Sequence, residues 1–127
     1  MYSPLTEARE HVRDTLTASG FNVYPYPPDA PKLPAAWIMP ADPWAEPVTL
    51  SRTNVHLLVK MVNSTDSRTR DALPNLEERS WQVVTSLTDK GVRVTDLRAP
   101  EVLTLGTLTV QAVEVACSVM CDDEGET

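Results

Sequence analysis

Leu5, Ala8, Val12 and Leu16 recur at helical spacing while Glu7, Arg9, Glu10, Arg13 and Asp14 take the intervening positions, which predicts an amphipathic helix of about four turns. Ser3 and Pro4 start it, because a serine hydroxyl caps free N–H groups and proline is pre-set for the first helical turn, and Gly20 stops it. Phe21 to Tyr24 then alternate as a short strand. The clearest strand runs from Thr53 to Val62, with Val55, Leu57, Val59 and Met61 on one face and Asn54, His56, Leu58 and Lys60 on the other. After a polar turn at Asn63–Asp66, with Asp66, Ser67 or Thr69 as candidate cap, a second helix is expected over about 67–89. Its stripe is Leu73, Leu76, Val83, Val84 and Leu87, with Trp81 near the margin and Gly91 as the stop. Pro74 falls just past the first turn of that span, where its ring clashes with the preceding turn, so a bend or break is expected near 73.

Val92 and Val94 resume strand spacing, and a long terminal run extends from Glu101 to Cys121. Leu108 and Val110 alternate in one phase and Val113 to Cys121 in the other; the change at Gln111 and Ala112 predicts a bulge that bends the strand. Helix and strand order, with alternating rather than fully apolar strands, predicts an α+β fold: a mostly antiparallel sheet carrying two helices on one face. A length of 127 residues fits one domain, read as residues 1–121, followed by an acidic tail over 122–127 that is expected to be disordered.

Eight of the 11 prolines fall within residues 25–47, a stretch that also contains Tyr26, Trp37 and Trp44. Only Ala36 to Met39 reads as strand there, closed by Pro40. The aromatic residues supply apolar area to pin the rest, so the stretch is expected to hold a fixed conformation and to act as an ordered loop layer.

Charge narrows the function. The net charge is −7, but four of the acids lie in the last six residues, leaving the rest at about −3. Without a clustered Lys/Arg surface, autonomous nucleic-acid binding is not expected. No apolar run reaches membrane-spanning length and the N-terminus lacks a signal-peptide pattern, so a soluble protein folded in a cytoplasm is expected. Cys117 and Cys121 share one face of a predicted strand about 13 Å apart, beyond disulfide reach, and read as small core residues. His11 and His56 have no metal-ligand pattern beside them, the four glycines are too scattered for a phosphate loop, and no nucleophile motif occurs. Neither an enzyme, a metal site nor a cofactor is expected. Trp37 and Trp44 are candidate interface anchors, since tryptophan is enriched in such positions, or else they pack on the protein's own sheet.

The order of motifs over roughly residues 5–121 resembles the tail terminator family of long, non-contractile-tailed bacteriophages, also called tail completion or tail-to-head joining proteins. The parts that carry it are the helix ending in glycine, the segment FNVYPYPPDAPKLPAAWIMPADPW, the strand, turn and helix of TNVHLLVKMVNSTDSRTRDALPNLEERSWQVVTSL, and the closing GTLTVQAVEVACSVMC. Pro74 departs from the uninterrupted second helix expected of the family. The resemblance implies an α+β virion protein, assembled in the host cytoplasm, that forms a homohexameric ring on the head-proximal end of the tail tube. There it would stop tube polymerisation and meet a head-completion or neck protein, with no activity and no cofactor. DNA would pass through the ring without sequence-specific contact. Candidate interface residues under this reading are Trp37, Pro43, Trp44, Pro47, Arg52 and Leu105. Another neck or head-completion role, and a cytoplasmic module whose Pro and Trp loop captures a protein, remain as alternatives.

Overall fold

Ser3 has extended backbone, and its hydroxyl accepts from the Thr6 amide at 3.4 Å, capping the first helix, α1 (Pro4–Ala18). A computed structural model of the chain describes residues 3–24, 32–49, 51–66, 72–105 and 108–122. After α1 come strands β1 (Asn22–Tyr24), β2 (Ala35–Pro47) and β3 (Arg52–Asp66), then helix α2 (Ala72–Asp89). Strands β4 (Arg93–Leu97), β5 (Glu101–Leu105) and β6 (Leu108–Asp122) complete the chain. Both helices end in the same way. Gly20 and Gly91 adopt positive φ, and the amides of Phe21 and Val92 return to the carbonyls of Leu16 and Leu87 at 3.2 and 2.9 Å. A residue with a Cβ is strained in that conformation, so each glycine both stops its helix and turns the next residue into the core.

The six strands form one mixed sheet in the order β1-β2-β3-β6-β4, with β5 pairing the N-terminal half of β6 beside β4. All pairings are antiparallel except β1 with β2. Both helices pack on one face. There Val12, Leu16, Leu76, Val83 and Leu87 meet Val55, Val59, Val113, Val115 and Cys117 in a single buried cluster. The fold is thus the α+β arrangement expected, but four local expectations are corrected.

First, β2 does not close at Pro40. It continues to Pro47, with an irregularity that sets Ala41–Trp44 opposite a single residue of β3. Beyond Trp37 the outer side of β2 has no partner strand, so prolines there forfeit no ladder bond. Residues 40–47 are therefore strand rather than loop layer, while 25–31 lie outside the described residues. Second, β3 extends from Arg52 to Asp66 rather than stopping at Val62, and α2 begins at Ala72. Pro74 then sits inside the first turn, where its missing N–H would have had no intrahelical partner, and α2 runs unbroken to Asp89. The candidate caps Ser67 and Thr69 lie outside the described residues.

Third, the terminal run is two strands forming a hairpin, β5 and β6. Fourth, the phase change at Gln111 and Ala112 is not a bulge. The β5–β6 register is continuous through it, and the irregularity on the other side belongs to β3, between Val62 and Asp66. The phase changes because β6 buries opposite faces along its length. Val113 to Cys121 face the helices, whereas Val110 and Ala112 join a second cluster on the other face with Ala35, Trp37 and Val62.

Candidate assembly surfaces

The six candidate interface residues separate into three places. Pro43 and Trp44 lie in the irregular stretch of β2, and Pro47 and Arg52 flank the turn into β3, so these four share one corner of the sheet. Arg52 pairs in register with Asp122 at the end of β6. Leu105 ends β5 in register with Leu108, at the other end of β6 from that corner. Trp37 is only 4% exposed. It is held in the second cluster with Tyr24, Leu33 and Met39 around it, so as an anchor for a partner it is corrected: its indole is already covered by the subunit itself. Leu33 and Lys32 are fixed there by polar contacts, since the Lys32 amide donates to the Tyr24 hydroxyl and the Asn22 side-chain amide donates to the Lys32 carbonyl, each at 2.9 Å.

Trp44 is 48% exposed and forms one wall of a groove of about 210 Å³. Leu5 and Arg9 of α1 and Ile38 and Pro40 of β2 form the rest of its lining that matters here. Past Arg9 and Ile38 a second hollow of about 190 Å³ continues toward Arg13, Val23 and Tyr24. The groove exists because α1 lies over the β2 side of the sheet while the outer edge of β2 is open. Arg9 makes no hydrogen bond or ion pair among the described residues, whereas Arg13 lies 3.8 and 3.5 Å from Glu10 and Asp14.

A different side of the subunit carries a residue that sequence reading placed only at a margin. Trp81 is 65% exposed, the most exposed of the large apolar side chains among the described residues. On a helix turning about 100° per residue, Leu76, Ser80, Val83 and Leu87 fall in one narrow arc toward the sheet. Leu73, Glu77, Trp81 and Val84 lie to one side of that arc, and Arg79 and Ser86 to the other. The Arg79 side faces α1: its guanidinium donates to the Ser19 carbonyl at 3.5 Å and stands 5.4 Å from the centre of the Phe21 ring. Trp81 and Leu73 therefore project away from α1, on the β4 side of the sheet, where Leu97 and Val102 are also exposed. The available signal was angular: Trp81 sits outside the arc of the buried positions.

The sheet face away from the helices carries several ion pairs. Lys60 bridges Glu101 of β5 and Glu114 of β6, and Arg98 donates to Glu114 at 2.7 Å. His56 Nε2 lies 2.6 Å from Glu46 Oε1. On the helical side, His11 Nε2 donates to the Lys90 carbonyl at 2.8 Å, tying α1 to the end of α2. Among the described residues no three His, Cys, Asp or Glu side chains converge as metal ligands, and no helix is long and apolar enough to cross a membrane.

Cys117 and Cys121 are thiols buried on the helix-facing side of β6, and the Cys121 thiol donates to the Pro4 carbonyl at 3.5 Å. Burial pushes the Cys117 thiol up to about 12. An unfolded thiol titrates near 8.5, so between the two values the unfolded chain holds fewer protons and stability falls as pH rises. Below about pH 8 this group contributes no pH dependence. Denaturant titrations are expected to show an alkaline loss of stability, above about pH 9, that is smaller in Cys117→Ala; an unchanged alkaline slope would contradict this. No protein-family model matches the chain, and a search of the curated proteins also gives no match.

Proposed function

We propose that the protein is a structural virion component of the tail terminator type, which assembles into a homohexameric ring on the head-proximal end of a phage tail tube. In this reading it ends tube polymerisation and presents its other face to a head-completion or neck protein. It catalyses no reaction and takes no cofactor. The observation that carries the proposal is the presence of two unlike exposed apolar surfaces on different sides of the subunit: Trp44 beside the open edge of β2, and Trp81 and Leu73 on the side of α2 turned away from α1, with Leu97 exposed on β4. A closed cyclic oligomer needs two such different, complementary patches on each subunit, whereas a two-fold dimer needs one self-complementary patch. The motif order from α1 to β6 supports assigning the ring to the tail.

Antibody-gold labelling of purified virions tests the location. Label at the junction of head and tail is expected, and label elsewhere, or none, would refute it. Trp44→Ala is expected to leave the thermal unfolding of the subunit nearly unchanged, because half the side chain is already in water, while weakening assembly by roughly 30-fold, the loss typical of an interface hot spot. Equal loss of both would remove Trp44 from the interface.

A further inference from the structure

The groove between α1 and β2 and the Trp81 stripe of α2 differ in every property that matters for contact. One is concave and carries an arginine without a partner among the described residues. The other is a convex helix side carrying an acid. Glu77 lies one turn from Trp81, between it and Leu73, and makes no ion pair among the described residues. The two surfaces sit on different sides of the subunit, so one subunit cannot bring its own stripe to its own groove. We infer that they are the two halves of one interface between copies of this chain: Trp81 of one subunit enters the groove of the next beside Trp44 and Ile38, and Glu77 pairs with Arg9. This rests on the ring reading and names its contact surfaces.

Charge complementarity favours a second copy as the occupant, and size permits it. The groove's volume of about 210 Å³ has room for one large aromatic side chain. Its apolar wall, Leu5, Ile38 and Trp44, suits the indole, and Arg9 lines the same groove without an ion pair among the described residues, which leaves it to meet Glu77. A guanidinium at the edge of an aromatic contact is a common pairing in protein interfaces. Because groove and stripe are different surfaces, the contact is head-to-tail: each bound subunit leaves one groove and one stripe free until the ring closes.

The test uses the full-length chain, with light scattering after size exclusion over a range of concentrations. The wild type is expected as a closed oligomer. Arg9→Glu, Trp81→Ala and Glu77→Arg are each expected to raise the concentration needed for assembly by at least roughly 30-fold. Circular dichroism should be unchanged, since all three positions are exposed. An equimolar mixture of Arg9→Glu and Trp81→Ala is expected to give a 1:1 heterodimer that grows no further, because only one intact groove and one intact stripe can meet. The double charge swap, Arg9→Glu with Glu77→Arg, is expected to restore the oligomer. Wild-type assembly that persists in all three single variants would overturn this interface and leave the ring reading standing. A wild type that stays monomeric would overturn the ring reading itself.

Discussion

Trp37→Ala is expected to destabilise the subunit by about 3–5 kcal/mol, the usual cost of removing a buried aromatic side chain. The indole is the largest group in the second cluster, where it packs with Ala35, Val62, Val110 and Ala112 on the face that no helix covers. Two alanines in that set can contribute little to refilling the space. Domains of this size have only about 5–15 kcal/mol in total, so the loss is a large fraction of it. Urea denaturation followed by far-UV circular dichroism measures the effect. A loss below about 1 kcal/mol would mean that Trp37 is not held as the structure describes. The contrast with Trp44→Ala is the informative part. Two tryptophans seven residues apart in one proline-rich stretch are expected to act on different quantities, one on folding and one on assembly.

Leu87→Ala is expected to cost about 2–5 kcal/mol and to loosen α2 from the sheet. Leu87 is fully buried, and with Leu76 and Val83 it forms the arc that seats the helix on β3, β4 and β6. Its carbonyl also accepts from the Val92 amide in the motif that ends α2. The consequence for function is indirect. A loosened α2 no longer holds Leu73, Glu77 and Trp81 at fixed positions, so ordering them on contact costs additional entropy. Hydrogen exchange is expected to show faster exchange across α2 in Leu87→Ala while the amides of β3 and β6 remain protected at low denaturant. Uniform loss of protection across all elements would instead show that α2 cannot open separately from the sheet.

How much of this was legible in the sequence depended on whether the determinants were local. The bounds of α1 were legible because its cap at Ser3, its stripe and its stop at Gly20 lie within eighteen residues of one another. The parallel pairing of β1 with β2 was not, because it depends on where the chain returns after the proline segment. Pro40 misled for a related reason. A proline ends a strand only where its missing N–H would have faced a neighbour, and the open edge of β2 is a property of the whole sheet. At Gln111 and Ala112 the change of phase was real, but periodicity alone does not separate a bulge from a strand that buries first one face and then the other. Pro74 was misread because the helix start was placed too early: β3 runs on to Asp66, and the helix begins at Ala72. Of the candidate surfaces, Trp44 was legible from composition and Trp81 only from the angle it makes with the buried arc.

The claim that the protein closes into a ring is tested most directly by the mass and shape of the purified, untagged chain in solution. Light scattering combined with negative-stain electron microscopy is expected to show six copies of a 14.0 kDa chain, about 84 kDa, as closed rings of one size with an open centre. A single 14.0 kDa species at every concentration, or a two-fold dimer without a central opening, would contradict the account.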